Sequence, residues 1–516
     1  MLSWWKKNSQ KSVNPYYLEA LQRFEARDWR GLKDVYHLFA LKDVVMMQRA
    51  ARSIYVQLST CSSNQIIQLE KTFRTYSSLE WYASWEKVDI GFIKENIKDK
   101  REIFYVFVLG TFHPNGYFRV KCMVELSRDQ EAFPYILLRM NDWVRPIREK
   151  ATQIAYASIE HIPIETLLMS LPYLDKLLKG RRGDQELVKN LYKKVKDQIQ
   201  RDICQINWDD VKDYELNMRK AIYKLILEEP LLELESVNRL LKREKSIALK
   251  GYIMGRILRL YECSEKQIDF YLENKTTQIR YKALVYKYEK LKGTWEGIEN
   301  LLLDLNSGIR EYTCYVMRKH SRLNLIDFYT AHLGDEKPYS AIMGIGEQGS
   351  KGDIEKIRPF LESDEPKIVR IALKAMTKIL KEEGKPLYEH YLYHEQPSVS
   401  KVAYIALKDY EIKLGAKKLY QALEIESHGH VKRYLILLLL REKSWSRLPY
   451  LIFLYDYEEE RLHAQIRQSI YYRNMYEEVS IAQAEKIKQA LILKNESLPK
   501  EVVQCIMLDL KYVVKR

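Results

Sequence analysis

Across residues 354–383, apolar positions recur at helical spacing twice, with a polar break between the two runs. Ile354-x-x-Ile357-x-x-x-Leu361 puts three branched side chains on one helical face. Ser363-Asp364-Glu365-Pro366 interrupts that face with residues suited to a turn and to the first turn of a new helix. Ile368, Ala372, Ala375, Met376 and Ile379 then form a second stripe. The plan repeats at once, with an apolar run over 387–393, a break at Glu395-Gln396-Pro397-Ser398 and a second stripe from Val399 to Leu414. Each unit predicts a pair of antiparallel helices. Neither pair buries both of its stripes alone, so neighbours must stack.

The start of the second stripe is the clearest register mark. It reads Ile279-Arg280-x-x-Ala283 and Ile309-Arg310-x-x-Thr313, then Tyr339…Met343, Ile368…Ala372, Val399…Ala403, Val431…Leu435 and Leu462…Ile466. The steps are 30, 30, 29, 31, 32 and 31 residues. Earlier copies stand at Ile247…Gly251, loosely at Asn217…Ala221, at Ile147-Arg148-x-x-Ala151, at Phe118…Cys122 and weakly at Met47…Ala51. Between 152 and 210 the phase is lost, which predicts an insertion or a degenerate repeat. The expected fold is all-α, an α-α superhelix (solenoid) of stacked antiparallel helix pairs. Its expected parts are degenerate helical repeats and a cap over 1–115, a repeat array over 116–475 and a helical cap over 476–516. The first part is aromatic-rich, with Trp81, Tyr82 and Trp85.

Composition narrows the class. Of 516 residues, 46% are hydrophobic and 30% charged, which excludes a disordered chain. Only 19 Gly and 14 Pro argue against an all-β protein with many turns. No apolar stretch follows the charges of Met1-Leu2-Ser3-Trp4-Trp5-Lys6-Lys7, so no secretory signal is expected there, and apolar runs such as 434–440 stop far short of the roughly 20 residues of a spanning helix. A soluble, cytoplasmic protein is expected. Six cysteines without a Cys-x-x-Cys pair suggest neither a zinc ribbon nor a disulfide framework. With 85 Lys and Arg against 70 Asp and Glu, the net charge of +15 permits an anionic partner without demanding one. The 38 tyrosines, interleaved with lysines, suit stacking on nucleic acid or, more plainly, half-buried helix surfaces.

The polar turn, the Val/Ile-Arg-x-x-Ala start of the second helix and the period near thirty resemble HEAT repeats, in particular the short HEAT-like repeats of bacterial proteins that include phycobiliprotein lyases. The best single match runs from Leu138 through Asn141-Asp142-Trp143 to Ile147-Arg148 and Ala151. The resemblance implies an armadillo-type array used chiefly to bind other macromolecules, with second helices lining its concave side. Arginines of that family bond turn carboxylates in a ladder, which Tyr339 and Leu462 would interrupt here. On that basis Lys150, Arg280, Lys282, Arg310, Arg370, Lys401 and Arg433 would form an anion-attracting stripe. Trp143 and Arg148 join them as candidates, although Asp142 capping a helix, Arg148 in the ladder and Trp143 covering the end of the core give a purely structural alternative.

Other motifs weigh less. Gly344-Ile345-Gly346-Glu347-Gln348-Gly349 spells a dinucleotide fingerprint, but that chemistry needs a strand before the glycines, and here a helix of the repeat precedes a turn. His390 and His394 stand one helical turn apart and would need a third ligand to hold a metal; a solvated face is the simpler reading. His428-Gly429-His430 falls at an inter-helix turn. The basic stretch 179–201 carries eight basic against three acidic residues, and 1–60 carries ten against five. No catalytic, metal or cofactor-binding residues are nominated.

The expected function is a non-catalytic scaffold that binds a macromolecule, foremost a protein, along an extended surface. The rival is a DNA-binding HEAT-like protein of the alkylation-repair glycosylase type, with nucleic acid on the basic face. A third reading makes Trp4, Trp5, Lys6 and Lys7 an interfacial membrane toe-hold.

Overall fold

The computed structural model describes residues 15–77 and 87–514. Trp4, Trp5, Lys6, Lys7, Trp81, Tyr82 and Trp85 lie outside the described residues. Two compact units divide the chain, Met1–Tyr286 and Lys287–Arg516. No strand occurs among the described residues beyond one isolated bridge between Val479 and Val514. No helix among them is long and apolar enough to cross a membrane.

In the first unit α1 (Pro15–Glu25), α2 (Leu32–His37), α3 (Val44–Leu58), α4 (Ser63–Ser77) and α5 (Ile90–Asn96) precede the regular pairs. Those are α6 and α7 (Lys100–Gly110, Gly116–Leu126), α8 and α9 (Phe133–Arg139, Arg145–Ser158), and α10 and α11 (Ile164–Leu178, Gln185–Arg201). After two short 3-10 turns come α12 (Leu216–Ile226), α13 and α14 (Leu234–Arg243, Ile247–Leu260), and α15 (Glu265–Leu272), whose partner α16 (Thr277–Leu291) runs across the division between the units.

In the second unit the 3-10 segment Ile298–Leu303 pairs with α17 (Ser307–His320). The next pairs are α18 and α19 (Leu325–Ala331, Tyr339–Gln348), α20 and α21 (Ile354–Ile357, Pro366–Leu380), and α22 and α23 (Lys385–Leu392, Pro397–Asp409). Then come α24 and α25 (Ala416–Ile425, Gly429–Leu439), α26 and α27 (Ser444–Phe453, Glu460–Tyr471), and α28 and α29 (Ile481–Leu493, Lys500–Val513). Here the second helices α19, α21, α23 and α25 pack one upon the next, and the first helices α24, α26 and α28 do the same. Val369, Leu373, Val399, Ala403, Val431 and Leu435 fill the space between the layers. Residues 476–516, expected as a cap, contain one further helix pair.

Short side chains start helices where the pattern placed turns: Asn115, Ser246 and Asn306 each accept backbone N–H bonds from the first turn of the helix that follows, and Pro366 and Pro397 occupy first turns. Asp184 does the same for α11, in the stretch where the pattern placed none. The lost phase between 152 and 210 has a plain cause. α10 has 15 residues where α8 has 7, and α11 has 17, so this pair is lengthened rather than broken.

The first unit also departs from simple neighbour stacking. α4 packs against α2, α10 and α12. The Glu215 carboxylate, 152 residues on, accepts the backbone N–H of Ser63 at 3.0 Å from both oxygens. That carboxylate sits at the N-terminal end of α4, where the helix dipole favours it.

Candidate functional site

The arginine of the Ile-Arg-x-x-Ala motif has the same task in several copies. It reaches back to the carbonyls of the turn that precedes its helix. Arg148 Nη1 donates to the carbonyls of Asp142 (2.8 Å) and Trp143 (3.2 Å). Arg280 does so to Asn274 (2.7 Å) and Lys275 (3.1 Å), and Arg119 to His113 (2.6 Å) and Pro114 (2.9 Å). Arg310 bonds the carbonyl of Asp304 at 2.7 Å. These carbonyls follow a helix end, have no intrahelical donor, and receive a charged one instead. The expected ladder to turn carboxylates holds where Arg119 meets Asp142 (3.2 Å) and Arg219 meets Glu244 (3.3 Å). For Arg148 the partners are carbonyls.

Asp142 does not cap α9 itself; the N-cap is Val144, whose N–H donates to Asp142 at 3.0 Å. The carboxylate is fully buried between Arg119 and Arg139, and Arg139 lies 5.0 Å from the Phe112 ring centre. Beside it, His113 packs on Tyr36 and Phe118, and burial lowers its imidazole to a pKa of about 3. Its Nδ1 accepts the N–H of Asn115 at 3.0 Å, as a neutral ring can.

The turn residue five before the clamping arginine points outward. Trp143 is 59% exposed and therefore does not cover the end of the core, and Leu305, its counterpart before Arg310, is 78% exposed. Each is an apolar side chain on a backbone pinned by a guanidinium.

The nine candidate residues do not share one face. Counted from the buried residue that opens each second helix, Arg148, Arg280, Arg310 and Arg370 stand one position on, Lys401 and Arg433 two, and Lys150 and Lys282 three. Successive helical positions turn by about 100°, so these are different faces. Lys150 bonds Gln153 at 3.1 Å, Arg433 pairs with Glu459 at 3.3 Å, and Lys282 lies against Gly255. Lys401 is exposed.

Arg310 and Arg370 do come together. They line a cleft of about 340 Å3 over α17, α19 and α21. Arg310 is buried, and its Nε and Nη2 donate to Glu347 at 3.0 and 2.7 Å. Lys378 reaches the same carboxylate at 3.4 Å. Arg370 and Lys374 also line the cleft, are exposed, and have no carboxylate partner among the described residues. Arg370, Lys374 and Lys378 repeat every fourth residue along α21, an arrangement of like charges that costs about 0.2–0.5 kcal/mol per neighbouring pair. Lys374 and Lys378 were not singled out from the sequence, yet their fourfold spacing from Arg370 marks one helix face.

The fingerprint glycines serve packing. Gly344 and Gly346 lie inside α19, not in a turn. A Cβ on Gly344 would stand 2.3 Å from the Tyr329 ring, and one on Gly346 would stand 2.6 Å from Cα of Ala375 in α21. No strand precedes them. His394 lies beyond the end of α22, stacked on Tyr391, and no group of three metal-ligating side chains occurs among the described residues.

No known protein-family profile matches the sequence, and no curated protein does. The fold is a HEAT-like array of helix pairs. Solved structures of similar backbone course include Kap121p at 12% identity and a TM-score of 0.33, covering 98% of this chain and 66% of that one. The karyopherin Kap121p bound to the SUMO protease Ulp1p gives 11% and 0.34, with coverages of 98% and 66%. Kap121p bound to RanGTP gives 12% and 0.32, with coverages of 95% and 64%. The chain thus spans about two thirds of the length of those proteins or slightly less. The HEAT-like assignment rests on the chain's own paired helices and their thirty-residue step.

Proposed function

We propose that this chain is a non-catalytic scaffold that holds a protein partner against its turns and second helices. The observation that carries the reading is the pair of outward apolar residues, Trp143 and Leu305, on turns clamped by Arg148 and Arg310. An apolar anchor on a fixed backbone binds with little ordering cost, which is what an interface hot spot requires. Stacked second helices extend the surface beyond one anchor.

The test places a photo-crosslinking residue at Trp143, at Leu305 and, as control, at Ile425, which is 88% exposed at the end of a first helix. Capture of the same partner from 143 or 305 and not from 425 is the expected result; equal capture from all three, or from 425 alone, overturns the reading. The DNA-binding alternative is separated by salt. A protein gripping several phosphates loses about 10³–10⁵ in affinity between roughly 50 and 200 mM salt. The scaffold reading expects no duplex binding in that series.

A further inference from the structure

The second-unit cleft has the composition of a ligand site. Its floor holds one carboxylate, Glu347, which Arg310 already neutralises with two hydrogen bonds. Arg370 and Lys374 stand over it without a counter-charge among the described residues. Its walls include Leu305, Met343 and Ile371, so apolar surface and cationic heads face the same space. Resting on the scaffold reading, we infer that this cleft binds an acidic peptide segment of the partner: two of its carboxylates on Arg370 and Lys374, and an apolar side chain between them against Leu305, Met343 and Ile371.

The chemistry disfavours a single-stranded nucleic acid as the occupant. Such a ligand needs an open aromatic face on which its bases stack. Among the described lining residues the aromatic ring is Tyr339, and Lys367 Nζ covers it at 3.7 Å from the ring centre. The Tyr339 hydroxyl is also engaged, donating to Glu365 at 2.9 Å. A carboxylate needs only the two cations and the polar rim. Because the Arg310–Glu347 pair is buried and fixed, the floor does not rearrange when the site fills, which preserves affinity.

The experiment uses the full chain and a short fluorescein-labelled peptide of alternating Glu and Leu, read by fluorescence anisotropy at low salt. Wild-type protein is expected to bind it and to ignore the matching Lys and Leu peptide. The double variant Arg370→Glu/Lys374→Glu should bind at least about tenfold more weakly, as expected when carboxylates meet like charge. The control Lys417→Glu/Lys486→Glu makes the same net charge change on exposed lysines of α24 and α28 and should bind as the wild type does. Thermal melts of both variants check that the fold is intact. Equal weakening by both variants would reduce the effect to net charge and overturn the inference, as would absence of binding to the wild type. A single-stranded oligonucleotide that binds, and is released by the cleft variant while the peptide is not, would hand the site to nucleic acid. If the cleft fails while Trp143, which lies outside it, still crosslinks a partner, the scaffold reading survives alone; if the crosslink at 143 fails while the peptide depends on the cleft, the cleft stands without that reading.

Discussion

Arg310 and Glu347, 37 residues apart and on successive second helices, form a two-pronged ion pair with side chains only 3% and 9% exposed. Arg310 also ties down the Asp304 carbonyl, so one guanidinium joins a turn, its own helix and the next helix. Removing Glu347 leaves the buried Arg310 charge without its carboxylate, at a cost of about 3–5 kcal/mol, whereas removing Arg310 leaves Glu347 with Lys378 at 3.4 Å and costs somewhat less. Arg310→Ala and Glu347→Ala are therefore each expected to lower the stability of the second unit by several kcal/mol. Urea unfolding checks this; a loss under 1 kcal/mol in both variants would show that the pair does not hold the helices together.

The glycines give a contrast in sign. Gly346→Ala gains about 1 kcal/mol of helix propensity. It also drives a methyl into the backbone of Ala375, 2.6 Å away, and overpacking of that kind costs about 1–3 kcal/mol. The net effect is destabilising, because backbone cannot retreat as a side-chain tip can. Gly251→Ala in α14 meets only Gln278, at 3.5 Å, and keeps the propensity gain, so it should stabilise by up to about 1 kcal/mol. Melting curves that move in the same direction for both variants would refute the packing argument.

Much of this was legible in the sequence, and the misses have physical causes. Spacing of buried residues fixed the helix pairs wherever the second stripe was regular, as at Val399 and Ala403 or Val431 and Leu435. It misled at Ile247, which is 63% exposed as the first residue of α14, while Leu249 and Ile253 face the core. Apolarity alone does not tell a buried position from a helix start. The lengthened α10 and α11 put the Gly180–Asp184 turn off the thirty-residue step, with second helices starting at 145 and 185, so the phase could not be carried across them. The candidate arginines were recognisable as a recurrent feature, but not their partners. A carbonyl leaves no trace in the sequence, so the clamps of Arg148 and Arg280 could not be read. Arg310 and Arg370 share a cleft because Arg310 of α17 bonds Glu347 of α19 and α21 packs on α19, a tertiary fact that the repeat step implies only once the register is exact.

Trp143 and Arg148 separate binding from stability. The Arg148 clamp uses charged hydrogen bonds, each worth about 1.5–3 kcal/mol, so Arg148→Ala should cost roughly 1–3 kcal/mol of stability in the first unit. Trp143→Ala removes an exposed ring and should change stability by less than about 0.5 kcal/mol while weakening partner capture. The opposite pattern, a destabilised Trp143 variant that captures normally, would return Trp143 to a structural role.

His113 makes the first unit sensitive to mild acid. Burial holds its folded pKa at about 3, against roughly 6.5 for a free imidazole. Above pH 6.5 the ring is neutral in both states and contributes no pH dependence. As pH falls from about 6.5 towards 3, the unfolded chain takes up a proton that the folded chain refuses, and stability falls by up to about 1.4 kcal/mol per pH unit. Carboxylates with lowered folded pKa, such as Glu25, lose stability in the lower part of that window, below about pH 5. Between pH 6.5 and 5 the other contributors in this unit are His37, also lowered by desolvation, and, with the opposite sign, Asp34 and Glu102, whose carboxyls desolvation raises, so the effect of His113 is read only as a difference between the wild type and a His113 variant. His113→Gln offers an acceptor without titrating, so its melting temperature should fall less than the wild type's between pH 7 and pH 5. Parallel slopes in the two proteins would mean that His113 takes up its proton as readily in the folded chain as in the unfolded one, and that burial does not set its charge.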